Sequence, residues 1–205
     1  MMMLALEFSS DRRSVALARG GMVLAEAAQQ TGSRATDALG LIEKVLADAK
    51  VLRQDIDVIA VGLGPGSYTG IRAAIAVAQG WQLARGVKLL GVSSVAAMAA
   101  QAQAANRFGR VNLAVDAQRG EFYVGVWELS ADSRVEVSPL KIIAAAEVAQ
   151  RKAAGETILG TDCLPTAAAV ARLAAERGDF VAGGDLQPIY LRETAFVKTP
   201  PMRAS

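Results

Sequence analysis

Residues Gly62 to Gly70 read GLGPGSYTG, a composition suited either to meeting an anion or to turning a chain sharply. Its glycines relax the backbone, and Pro65 cannot continue a helix or a strand. Two chemistries are open. In one, amides of the turn and of a helix start behind it point at a phosphate, with Gly64, Gly66 and Ser67 as contacts. In the other, the turn only reverses direction between a strand and a helix. The segment lacks the Lys-Ser/Thr ending of a P-loop, and its spacing at Gly64, Gly66 and Gly70 is not the dinucleotide fingerprint. Two carboxylates, Glu7 and Asp116, each sit where an apolar run enters a polar turn. Facing one another across a cleft they could hold a hydrated metal and a nucleotide's phosphates; as ordinary turn carboxylates they would do neither. Arg12-Arg13 is expected to be a solvated turn rather than a phosphate clamp.

What the chain lacks narrows the chemistry further. It contains no histidine, which excludes His-dependent triads, His-ligated metal sites and the commonest general base. Cys163 is the single cysteine, so no disulfide framework is possible, and a lone thiol is expected to behave as a small buried hydrophobe. A net charge of +2 does not announce a nucleic-acid surface. No stretch approaches the roughly 20 clean apolar residues of a membrane span, and the opening MMMLALEF lacks the basic flank of a signal peptide. A cytoplasmic location is expected.

The elements that must position these residues follow from periodicity. Apolar runs at Met3 to Phe8, Ser14 to Arg19 and Met22 to Ala28, separated by polar and Gly-Gly turns, predict three antiparallel strands. Ala38, Leu41, Ile42, Val45, Leu46 and Ala49 recur at helical spacing, with Ser33 or Thr36 as a cap and Asp37 in the first turn. Ile56 to Gly62 is a short buried strand, Val87 to Val92 another, and Val95 to Ala104 a helix capped by Ser93. The resulting βββαβα order implies a mixed sheet with helices packed on it, over residues 1–105. Asn106 to Arg110 reads as a linker. A second, smaller lobe over 106–205 restarts with strands at Val111 to Val115 and Glu121 to Leu129, joined by the Asp116 to Gly120 loop. A strand at Arg134 to Ile143, a helix at Ala144 to Lys152, a brief strand at Thr157 to Gly160 and a helix from Pro165 follow. The tail Gln187 to Arg192 is apolar enough to dock back, and Thr199 to Ser205 is expected to be disordered.

The helix behind the glycine turn has two apolar sides. At about 100° per residue, Ile71, Ala74, Ile75, Ala78 and Trp81 share one side, Ala73, Ala76, Gly80 and Ala84 a second, and Arg72 and Gln79 form a narrow polar strip. A helix apolar nearly all round must be covered twice, and small residues admit another helix closely. Whether that helix is the chain's own or a partner's is not settled by periodicity.

The sequence resembles the TsaB (YeaZ) family of transfer-RNA threonylcarbamoyladenosine biosynthesis. The resemblance rests on LALE-x2-SD-x2-SVAL at Leu4 to Leu17, GLGPGSYTGIR at Gly62 to Arg72, GVSS at Gly91 to Ser94, DA-x2-GEFY at Asp116 to Tyr123 and PIYLR at Pro188 to Arg192. It implies a two-lobed α/β fold of the actin, Hsp70 and sugar-kinase (ribonuclease H-like) type. It implies a non-catalytic subunit that supports a TsaD-like catalytic subunit, works beside a TsaE-like ATPase, and forms a homodimer through the same helical surface. It implies contact with tRNA only through the complex, no metal, and ATP or ADP, where used, at the interface of the assembled complex. The first-lobe helices carry the contact, which places Leu39 and Ile42 on the first and Tyr68, Thr69, Arg72, Ala73, Ala76, Gly80 and Leu83 on the second at the interface. Glu7, Gly64, Gly66, Ser67 and Asp116 remain the positions where a nucleotide or phosphate would be met.

This chain departs from the family's pattern in ways that bear on mechanism. TsaD-like catalysts carry paired histidines on the helix matching Thr36 to Ala49, and this chain has none. It has Glu7-Phe8 where Asp-Thr is usual, and Gln118 where the family has Arg. Each change removes a polar group that a phosphate site would use. The alternative, a stand-alone ATPase or small kinase of the same fold working through Glu7 and Asp116, is weakened accordingly, and a peptidase lacks any paired nucleophile.

Overall fold

The computed structural model describes residues 1–31 and 37–191. Its first sheet contains β1 (Met2–Glu7), β2 (Arg12–Arg19), β3 (Met22–Gln30), β4 (Val58–Gly62) and β5 (Lys88–Val92) in the order β3-β2-β1-β4-β5. The β1–β2 and β2–β3 pairs are antiparallel, and β1–β4 and β4–β5 are parallel. The second sheet has the order β8-β7-β6-β9, from β6 (Gly109–Asp116), β7 (Glu121–Leu129), β8 (Arg134–Ala144) and β9 (Thr157–Leu159). This is the two-lobed ribonuclease H-like arrangement expected, with β6 starting inside the segment expected to be a linker.

Both faces of β1 are buried, as its unbroken apolar run requires of a strand covered on two sides. On one face Leu4, Leu6, Val15, Leu17, Ile59 and Val61 pack against α1 (Ala38–Ala49) and α2 (Tyr68–Arg85). Helix α1 contributes Leu41, Ile42, Val45 and Leu46, and α2 contributes Ile71, Ala74, Ile75 and Ala78. The opposite face carries Met3, Ala5, Ala16, Ala18, Val58 and Ala60, and α5 (Ala167–Ala175) lies on it through Ala167, Val170, Ala171 and Ala174. Alanines on both partners bring helix and strands close together, which suits a thin, dense contact. The helix is anchored at its start: the Ala167 amide donates to Ser14 Oγ at 2.8 Å, and Thr166 caps it. An element from the second half of the chain thus completes the first sheet. Helix α3 (Ser94–Ala104) covers the second sheet, with Val95, Met98, Ala99 and Ala102 against Val111, Leu113 and Leu129. The short α4 (Ala145–Ala153) follows β8.

The local signals held with one shift. Ser93 caps α3 through the Ala96 amide, as expected. Ser33 and Thr36 lie outside the described residues, and it is Asp37 that caps α1, its carboxylate accepting from the Gly40 amide at 2.9 Å. Asp37 therefore sits before the first turn rather than in it. Cys163 is buried beside Met98, and burial pushes its thiol pKa up, so it behaves as a small hydrophobe. Among the described residues, no helix is long and apolar enough to cross a membrane.

Candidate functional site

The glycine turn leaves β4 at Gly62 and delivers the chain to α2 at Tyr68. Ser67 is the N-cap; its hydroxyl accepts from the Gly70 amide and from Arg13 Nη2, the latter at 2.9 Å. The turn is held against the β1–β2 loop, because the Ser67 amide donates to the Ser9 carbonyl at 2.7 Å. Gly66 lies so close that a Cβ there would collide with that same carbonyl, at a φ of +146° that side chains disfavour. Its glycine is a requirement of packing.

Between the lobes lies a cleft of about 960 Å³. Ser9, Ser10, Asp11, Gly66, Ser67 and Tyr68 form one wall; Asp116 to Arg119, Phe122 and Tyr123 form the other, and Tyr190 lies at the rim. The structure therefore brings Gly66, Ser67 and Asp116 together, as expected of a phosphate site. It does not bring Glu7 or Gly64 there. Glu7 has no exposed surface, and its carboxylate accepts from the Ser9 amide and the Ser94 hydroxyl, both at 2.7 Å. Its place at the end of a strand covered on both faces points it inward, so the alternative in which Glu7 faces Asp116 across the cleft does not form. Burial holds the Glu7 carboxyl above its ordinary pKa, against the lowering effects of Ser9, Ser94 and Arg13. Asp116 is exposed at the cleft and accepts from the Gln118 amide at 2.7 Å and from the Gln118 side chain at 3.1 Å. The structure therefore does not offer Glu7 and Asp116 as a pair to a metal-bound phosphate in this cleft.

Arg13 corrects a second expectation. Instead of a solvated turn residue it is 6% exposed, tucked beneath the first turn of α2, with Nε and Nη1 unpartnered among the described residues. Burial lowers its pKa, with Asp11 and Glu7 opposing that shift. Pairing of β2 between β1 and β3 buries it, a consequence of sheet order that the dipeptide alone does not carry.

The outer side of α2 tells a different story. Tyr68, Thr69, Arg72, Ala76, Gly80 and Leu83 are exposed, Leu83 by 91%, and Ala73 is half-buried. The second apolar side expected of this helix exists and is uncovered among the described residues. A Cβ added at Gly80 would meet nothing within 4 Å. Leu39 on α1 is also exposed, whereas Ile42 is fully buried in the first-lobe core and is not available to a partner. Positions 41, 42, 45 and 46 turn α1 toward the sheet, so the helical spacing that predicted α1 also removes Ile42 from its outer face. At the N-terminal end of α2, Tyr68 stacks on Tyr190 with ring centroids 5.3 Å apart, and the Arg72 guanidinium lies 5.0 Å from the Tyr68 ring centre. Sequence reasoning missed the roles of Arg13, Ser94 and Tyr190; of these Ser94, in the GVSS segment, and Tyr190, in the PIYLR segment, carried a motif signal.

A family model described as "TsaD: tRNA N6-adenosine threonylcarbamoyltransferase" matches residues 5–181. The chain belongs to the TsaD-like family, in its TsaB/YeaZ branch. It is 35% identical over 123 residues to the tRNA threonylcarbamoyladenosine biosynthesis protein TsaB of Escherichia coli (strain K12), covering 60% of this chain and 53% of that one. It is 29% identical over 140 residues to the protein of the same description from Bacillus subtilis (strain 168), covering 68% and 60%. The chain thus spans about half the length of the first of these curated relatives. Among solved structures, YeaZ from Pseudomonas aeruginosa superposes with a TM-score of 0.78 at 27% identity, covering 93% of this chain and 99% of that one. The likeness to that structure extends across both sheets.

Proposed function

We propose that this chain is a non-catalytic subunit that binds and supports a TsaD-like catalytic subunit in forming threonylcarbamoyladenosine on tRNA, in the cytoplasm, beside a TsaE-like ATPase. The observation that carries the reading is the uncovered outer side of α2. Gly80 sits in mid-helix, where glycine costs about 1 kcal/mol relative to alanine, yet among the described residues nothing lies within 4 Å of where its Cβ would stand. A cost without use in the isolated chain is understood if a second helix packs there, with Leu83, Leu39 and Tyr68 around the contact. The same face serves a homodimer when the partner is absent. In support of a non-catalytic role, Glu7 is sealed from the cleft and does not face Asp116, and the sequence offers no histidine base. Any requirement for ATP or ADP then falls on the assembled complex, as does contact with tRNA.

Size-exclusion chromatography with the cognate TsaD-like protein tests this. The wild-type chain is expected to co-elute, and Ala76→Arg or Gly80→Arg to elute alone with thermal stability not reduced, since both positions are exposed. Co-elution of both variants would remove α2 from the interface. The alternative, a stand-alone ATPase or kinase, requires turnover by the isolated chain that Asp116→Asn abolishes.

A further inference from the structure

Glu7 is one of the positions where a nucleotide or phosphate could be met, and the structure gives it other work. Its Oε1 accepts from the Ser9 amide and its Oε2 from the Ser94 hydroxyl, each at 2.7 Å. Ser94 Oγ in turn accepts from the Gly64 amide at 3.0 Å, and the Ser94 amide donates to the Gly64 carbonyl at 2.9 Å. The Ser9 residue held by Glu7 receives the Ser67 amide on its carbonyl. One carboxyl therefore pins both ends of the glycine turn: Gly64 through Ser94, and Ser67 through Ser9. Gly62 completes the seat, because a Cβ there would collide with the Glu7 carboxylate. Glu7 and Ser94 are both without exposed surface, so no water competes for these bonds.

We propose that Glu7 is a positioning residue: through Ser9 and Ser94 it locks the glycine turn and so sets the direction in which α2 presents Ala76, Gly80 and Leu83. The Ser94 link adds a second consequence. Ser94 is the first residue of α3, the helix that covers the second sheet, so the same carboxyl fixes the start of α2 relative to the start of α3. Among the described residues, the other polar tie at the beginning of α2 is the Arg13 contact to Ser67. The inference rests on α2 being the partner face, but its first readout does not.

The test uses the full chain and Ser94→Ala, Glu7→Gln and the double variant. Amide exchange over residues 64–73 is followed in the folded protein, with the amides of β6 and β7 as internal reference. Affinity for the TsaD-like protein is measured alongside. The expected result is exchange about 10-fold faster in 64–73 with the reference unchanged, and affinity about 10-fold weaker, the scale of losing one buried hydrogen bond to a charged group. The double variant is expected to be no worse than Ser94→Ala, because the glutamine carbonyl still accepts from the Ser9 amide and both changes break the one Ser94 relay. Unchanged exchange in 64–73, a uniform acceleration across the molecule, or additive effects would each overturn the proposal. So would failure of both single variants to fold, since the carboxyl would then be a need of the whole fold rather than of the turn. If Ala76→Arg leaves association intact, the partner-face reading fails while exchange at 64–73 still judges the lock; if only the exchange result is negative, the lock fails and the face stands.

Discussion

Glu7 is a buried carboxyl with two hydrogen-bond donors and an arginine nearby, so two opposing effects act on its ionisation. The donors and Arg13 favour the anion; loss of water disfavours it more, and the net pKa is raised. The sign for stability follows. Between the ordinary carboxylate value and the raised one, the folded chain holds a proton that the unfolded chain has released, so stability is greatest below that window and falls as pH rises through it. Asp162, held by Arg107, and Asp179, held by Arg177, have lowered pKa values and act in the opposite sense, losing their contribution as pH falls below the ordinary value. The windows do not overlap, so a difference measurement separates them. Denaturant midpoints across pH 3 to 8 are expected to show a decline with rising pH in the wild-type chain that Glu7→Gln removes. A difference curve flat across that range would show that the carboxyl is not perturbed. Neither the burial of Glu7 nor that of Arg13 could be read from the sequence, because a strand end and a turn look alike until the sheet order decides which is covered.

At the scale of elements, helix α2 was the most legible part of the chain. Its spacing announced two apolar sides, and the structure packs Ile71, Ala74, Ile75 and Ala78 on the sheet while leaving Ala76, Gly80 and Leu83 open. Periodicity states which faces are apolar; it does not say what covers them, which is why Ile42 was assigned outward with Leu39: the two lie only about 60° apart around α1, and the sheet contact through Leu41, Ile42, Val45 and Leu46 draws the boundary between them. The glycines of this region divide by the same reasoning. Gly80→Ala meets nothing in the isolated chain and gains helix propensity, so the variant is expected to be more stable by up to about 1 kcal/mol, seen as a rise in Tm, while its affinity for the partner falls if a helix approaches closely there. Gly66→Ala drives a Cβ into the Ser9 carbonyl at a disfavoured φ, and a loss of roughly 1–3 kcal/mol is expected, seen as a lowered Tm. Equal responses at the two positions would show that burial in the isolated chain does not distinguish them.

The whole molecule is tied together by elements that cross between its lobes, and this was the least legible level. The βββαβα order of the first lobe followed from apolar runs and turns, and the strands of the second lobe were equally plain. That α5 returns to the first sheet was not, because an alanine-rich helix fits any surface of small residues, and only the matching alanines of β1, β2 and β4 reveal its seat. The contact has physical consequences. Ala171 is fully buried in the cluster that α5 forms with Ala5, Ala16 and Ala60. The alanines that face the helix leave little room at this contact, so added volume must push the helix off the sheet. Ala171→Leu is therefore expected to cost about 1–3 kcal/mol, a fall in Tm of about 2–4 °C per kcal/mol for a chain of this size. Because α5 belongs to the second half of the chain and its seat to the first, that fall should be recorded equally by probes in either sheet. Unfolding of the first sheet ahead of the second would mean that the lobes are held by their own cores, and that α5 only rests on the first.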